Sequence, residues 1–185
     1  MKGLLFWCAV RVRTGFENIV AAKFAAEGLE AFLPKLPSRR RSDCGKTSET
    51  PLFPNYVFFR IHPEARLDVL MTPGVMSLVG GTVATPVNEA EIAAIKAVVL
   101  SGLPYKPCPF VNTGQRVVIA DGPLQNLEGV LIKPEGDYRI AFGVSLLERS
   151  VLVDLETGTQ IVHAQRAQAA SQQPPGLLRA GRSPM

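Results

Sequence analysis

The chain has 185 residues, 46% hydrophobic and 19% charged, a composition that excludes disorder throughout and fits one medium folded unit or two small ones. A net charge of +4 favours an acidic partner, and the excess is confined to the N-terminal part, with 13 Lys and Arg against 9 Asp and Glu through Pro107 and 7 against 7 beyond it. Three widely spaced cysteines (Cys8, Cys44, Cys108), two histidines and no Cys-x-x-Cys pair suggest neither a disulfide framework nor a zinc site, so no cofactor is expected, and they fit a reducing compartment.

The opening "MKGLLFWCAV" imitates a signal peptide, but its apolar run is short and ends in "RVRTG", so it reads as a first β-strand. No later apolar run reaches the roughly 18 residues that a bilayer span requires, and the expectation is a soluble, cytoplasmic monomer with no membrane partner. Thr14-Gly-Phe-Glu17 has the form of a capping box and predicts a helix start, with Ile19, Val20, Ala22, Phe24 and Ala26 following and Gly28 as its left-handed stop. "EAFLPKLP" resumes as extended chain, and Ser38 to Thr50, with Arg39, Arg40 and Arg41, reads as a hairpin loop or flexible tip. Only Cys44, close to those arginines, has a setting that could activate a thiol.

"PLFPNYVFFRI", Pro51 to Ile61, is apolar yet punctuated by two prolines and an asparagine. On a strand, Tyr56, Phe58 and Arg60 share one face and Val57, Phe59 and Ile61 the other, so both faces carry large apolar groups. One can pack on the protein's own helices; the other is covered either within the same unit or by a partner. A second helix follows Pro63 with Leu67, Val69 and Leu70 as its apolar face, then a short strand in "VMSLVGG", and a third helix opened by Asn88 with Ile92, Ile95, Val98 and Val99 on one side. The resulting order predicts helices packed on a mainly antiparallel sheet, an α+β unit over 1–104. Proline and glycine in "SGLPYKPCPFVNTG" mark a linker over 105–112. Short β-rich runs between turn signals predict a small all-β barrel over 113–163, and 164–185 reads as a disordered tail.

"WCAVRVRTGFE" at Trp7, "PLFPNYVFF" at Pro51, "GVMSLVGGTVATPV" at Gly74 followed by "EIAAIK", and "GQRVVIADGPLQNLEGVL" at Gly114 together resemble the NusG transcription elongation factors, and more closely their antitermination paralogues of the RfaH kind. The resemblance implies an NGN domain that binds the clamp helices of RNA polymerase, followed by an SH3-like KOW barrel that recruits a second partner. It implies that Phe53, Pro54, Tyr56 and Phe58 line an exposed apolar depression for the polymerase coiled coil, with Phe53 at its rim. It also implies that Arg11, Arg13, Lys23 and Thr72 face the non-template DNA strand; Arg39, Arg40 and Arg41 are further candidates for DNA or polymerase.

One departure concerns the barrel, where "SLLER" places Leu147 at a position that is aromatic in housekeeping members. Leu146, Leu147 and Arg149 are the implied contacts for a barrel partner, Rho or a small-subunit ribosomal protein, and leucine offers such a partner less area. The β-branched runs Val117 to Ile119 and Val151 to Val153 disfavour a helical alternative to the barrel. The functional expectation is an operon-specific elongation or antitermination factor, against a housekeeping NusG-type factor or a ribosome-linked KOW RNA-binding protein. An enzyme of the acylphosphatase type would need more than the Arg and Asn in "RVRTGFENIV", and no acid/base cluster accompanies them.

Overall fold

A computed structural model describes residues 5–41, 47–62, 66–81, 84–132, 139–155 and 159–163, with 37–41, 47, 48, 66 and 163 described by backbone alone. The predicted disordered tail and Cys44 lie outside the described residues. The N-terminal part runs β1 (Phe6–Val12), α1 (Glu17–Ala26), β2 (Ala31–Phe32), β3 (Lys35–Arg41), β4 (Thr47–Pro51), β5 (Tyr56–Ile61), α2 (Arg66–Leu70), β6 (Val75–Leu78) and α3 (Glu89–Leu100). Strands β2, β5, β1 and β6 form a four-stranded sheet in that order, and every pairing in it is antiparallel.

Each face of this sheet has its own cover. Val10, Val12, Val57, Phe59 and Ile61 pack with Val20 and Phe24 of α1 and Val69 of α2. Trp7, Ala9 and Phe58 point to the other side, against Ile92, Ile95 and Val98 of α3. Alternation along β1 and β5 produces this division, because successive side chains of a strand leave on opposite faces. Helix α3 starts as predicted, with the Asn88 side chain accepting from the Ala90 N–H at 2.9 Å. Gly28, at φ +80°, closes α1 in the left-handed region.

Two expectations are corrected here. Thr14 and Glu17 do not form a capping box: α1 has Phe16 at its N-cap and no side-chain cap bond. Both side chains are engaged by Asn55 instead. The arginine segment is also strand and not loop through Arg41, since β3 extends that far and pairs antiparallel with β4.

The C-terminal part is a six-stranded antiparallel sheet in the order β12, β8, β9, β10, β11, β7, built from β7 (Tyr105–Pro109), β8 (Gln115–Ile119), β9 (Glu128–Ile132), β10 (Arg139–Val144), β11 (Arg149–Asp154) and β12 (Ile161–His163). The runs Val117 to Ile119 and Val151 to Val153 are thus strands. The segment expected as a linker begins with β7, which pairs residue by residue with β11, so its first five residues belong to this sheet. Proline at 107 and 109 is tolerated because β7 is an edge strand.

The two parts share one hydrophobic cluster. Trp7, Phe53, Phe58 and the apolar face of α3 are continuous with Ile140, Phe142, Val144, Leu147 and Val151. Helix α3 lies between the two sheets and touches β10 on one side and β1 on the other.

Candidate functional site

The segment Phe53 to Tyr56 is a turn held from inside. Asn55 has φ +70°, a left-handed backbone that asparagine tolerates better than most residues. Its backbone N–H donates to Glu17 Oε1 at 3.0 Å and its side-chain amide donates to Thr14 Oγ1 at 2.9 Å, while the Val12 N–H donates to its carbonyl at 2.8 Å. Glu17 is only 4% exposed, so its carboxylate is committed to this turn and not to solvent. The turn ends in the Tyr56 N–H donating to the Phe53 carbonyl at 3.2 Å. Phe53 then meets Phe58 edge-on, with ring centroids 5.7 Å apart.

These rings do not form an open hollow in this arrangement. Phe53 is 2% exposed and Phe58 0%, Tyr56 is half-buried, and only Pro54 is exposed. The expected exposed depression is therefore corrected: this face is closed by the chain itself. The cause is the packing of the C-terminal sheet and α3 against it, fastened at its edges by polar groups. The Ser145 N–H and hydroxyl donate to the Glu91 carboxylate of α3, the hydroxyl at 2.6 Å. The Tyr105 hydroxyl donates to the Lys35 carbonyl at 2.6 Å, and burial, then the nearby Glu49 charge, raise its phenol pKa. Glu91, Ser145 and Tyr105 were not legible as a set, because 54 and 70 residues separate the partners.

The barrel residues are drawn into the same closure. Ser145–Leu147 forms a 3-10 turn between β10 and β11; Leu147 is 7% exposed and Leu146 half-buried against the shared cluster. Leu147, an implied contact for a barrel partner, is corrected to a core residue of this arrangement, because the turn folds back onto α3. Arg149 remains exposed.

The basic candidates are dispersed. Arg11, Arg13 and Lys23 are exposed. Arg11 stands directly opposite Tyr56 on β5 and Ser77 on β6, so it shares the α3 side of the sheet, whereas Lys23 rides on α1 across the sheet and pairs with Glu27 at 4.0 Å. The structure does not bring Arg11 and Lys23 together. Thr72 is 3% exposed and its hydroxyl donates to the Asp68 carbonyl at 3.3 Å, which corrects the expectation that it faces DNA. The side chains of Arg39, Arg40 and Arg41 lie outside the described residues.

Near the start of β1, Lys96 of α3 sits 4.4 Å above the Trp7 ring and bonds Glu30 at 2.8 Å, while Arg60 approaches the same ring and pairs with Glu30 and Glu89. The Lys96 hydrogen bond above all, with the Lys96 and Arg60 charges, lowers the Glu30 pKa. This cluster clasps α3 to the sheet. Burial lifts the Cys8 thiol to about 11 and raises that of Cys108, where Lys106 opposes it, so neither is an activated nucleophile. Among the described residues no group of His, Cys, Asp and Glu could hold a metal ion, and no helix is long and apolar enough to cross a membrane.

The family described as "Transcription termination factor nusG" matches residues 5–96. The transcription termination/antitermination protein NusG of Pseudomonas aeruginosa is 34% identical over 119 residues, which take in 60% of this chain and 66% of that protein, just under two thirds of its length. The Helicobacter pylori protein of the same description is 27% identical over 124 residues, 65% of this chain and 67% of the relative. A solved structure described as "Domain interaction in Thermotoga maritima NusG" is 26% identical, covering 83% of this chain and 94% of that one with a TM-score of 0.49. The region that contains β1, the Asn55 turn and most of α3 is thus the part of this chain that matches the NusG family.

Proposed function

We propose that this chain is a transcription elongation factor with antitermination activity that binds RNA polymerase through the face carrying Phe53, Pro54, Tyr56 and Phe58. The observation that carries the proposal is that this aromatic face of a NusG-family unit is covered by a second sheet, not by a helix of its own layer alone. The second sheet is read as a KOW barrel, and the clamp coiled coil of the polymerase takes its place when it moves away. A face this apolar would expose several buried rings in isolation, so cover and partner exchange for one another. An aromatic side chain seated by a partner helix typically contributes about 2 kcal/mol or more. The mechanism is differential binding: the factor favours the elongation-competent polymerase over paused states and makes no covalent bond.

The operon-specific reading is favoured over a housekeeping one, because a face covered at rest needs a trigger before it can bind. Opening would also free the Ser145–Leu147 turn, so Leu146 and Leu147 would join the already exposed Arg149 in contacting a barrel partner, Rho or a small-subunit ribosomal protein, only after recruitment. Arg11 and Arg13, with Arg39 to Arg41, are the residues proposed to meet the non-template strand through phosphate contacts.

The test compares binding of the full chain, Glu91→Ala and Glu91→Ala/Tyr56→Ala to core RNA polymerase. Glu91→Ala removes the acceptor of the Ser145 fastening and is expected to tighten binding; adding Tyr56→Ala is expected to weaken it well below the single variant. Equal binding by the single and double variants would remove the aromatic face from the interface. On a pausing template the full chain is expected to shorten pause dwell times, and unchanged dwell times would favour the RNA-binding alternative.

A further inference from the structure

A cleft of about 470 Å³ lies where the two parts meet, between the Asn55 turn and the paired edge of β7 and β11. Its walls come from both sides: Phe53, Pro54 and Tyr56 from the first, Pro107, Pro109 and Arg149 from the second. The volume is in the range of small-molecule sites, and the rings and prolines of the lining are interspersed with the polar side chains of Asn55, Ser150 and Arg149, which can orient a ligand. Among the described residues, Arg149 is the only charged one in the lining, no carboxylate lines the cleft, and no ion pair engages Arg149. Arg11, opposite Tyr56 in the sheet, adds a second positive charge beside this wall.

We propose that this cleft binds a small aromatic carboxylate, its ring between Tyr56 and the β7 prolines and its anion on the Arg149 guanidinium. A planar fork of donors suits a carboxylate bidentately, and an apolar slot suits a flat ring. Because the walls belong to both parts, such a ligand binds the closed arrangement and not the open one, and so stabilises closure in proportion to its concentration. The inference rests on the closed arrangement and is independent of the transcription reading, since its test contains no polymerase.

The probe is 2-naphthoate, with uncharged 2-naphthol as the comparison, titrated by fluorescence into the full chain. Cys108 also lines the cleft, so its alkylation by N-ethylmaleimide, mapped by peptide mass, reports occupancy at the site itself. Saturable naphthoate binding that shields Cys108, weakened about tenfold or more in Arg149→Gln and by less in Arg149→Lys, which keeps the charge and loses the fork, is the expected result. Arg149 is exposed, so these variants are expected to fold. No shielding of Cys108, or naphthol and Arg149→Gln matching naphthoate and the unaltered chain, would overturn the proposal.

Discussion

Replacing Asn55 tests whether the turn that presents the aromatic face is held by the side chain, by the backbone conformation, or by neither. The Asn55 amide makes one good bond, to Thr14 Oγ1 at 2.9 Å, and one long contact, to the Val12 carbonyl at 3.4 Å. A single exposed side-chain bond is worth about 1 kcal/mol net. The left-handed backbone at φ +70° adds a second term, since a residue such as alanine there costs about 1 kcal/mol or more. Asn55→Gly loses only the side-chain bonds and should destabilise by about 1 kcal/mol, whereas Asn55→Ala also strains the backbone and should cost about 2 to 3 kcal/mol. Trp7 is the sole tryptophan and is buried in the N-terminal sheet, so its fluorescence in urea reports the unit concerned. A glycine variant as unstable as the alanine variant, or two variants indistinguishable from the unaltered chain, would refute the assignment of the turn to Asn55.

Lys96→Met should let the Glu30 pKa rise back towards 4.5, as read by side-chain carboxylate NMR. Because the folded-state pKa of Glu30 is lowered, its favourable interaction is present at neutral pH and fades as pH falls through that lowered value; the variant should lose this part of the acid sensitivity, seen in urea midpoints against pH. Gly129→Ala should destabilise the C-terminal sheet by about 1 to 3 kcal/mol, measured by thermal unfolding, because the added methyl would collide with Ile140 Cγ2 and press on the Ala141 carbonyl oxygen at 3.1 Å. Thr72→Val should leave single-stranded DNA binding unchanged in a salt-titrated mobility assay, since the hydroxyl is buried on Asp68, while Arg11→Ala should weaken that binding and flatten its salt dependence.

The sequence by itself determined the three helices, the central strands of the N-terminal sheet and which residues those strands turn to each side. The alternation in "YVFFRI" set Phe58 against α3 and Phe59 against α1, and Asn88 announced the start of α3, because strand alternation and helix capping act over a few residues. What covers the second face was left open by the same pattern, since an apolar residue signals burial without naming its neighbour. Only the tertiary structure decided that the C-terminal sheet supplies that cover, that Leu147 turns inward, and that Thr14 and Glu17 serve a turn near Asn55 instead of their own helix end. The physical reason is that these contacts join groups 38 or more residues apart, and a hydrogen-bonding side chain looks the same in sequence whether it meets its next turn or a distant strand.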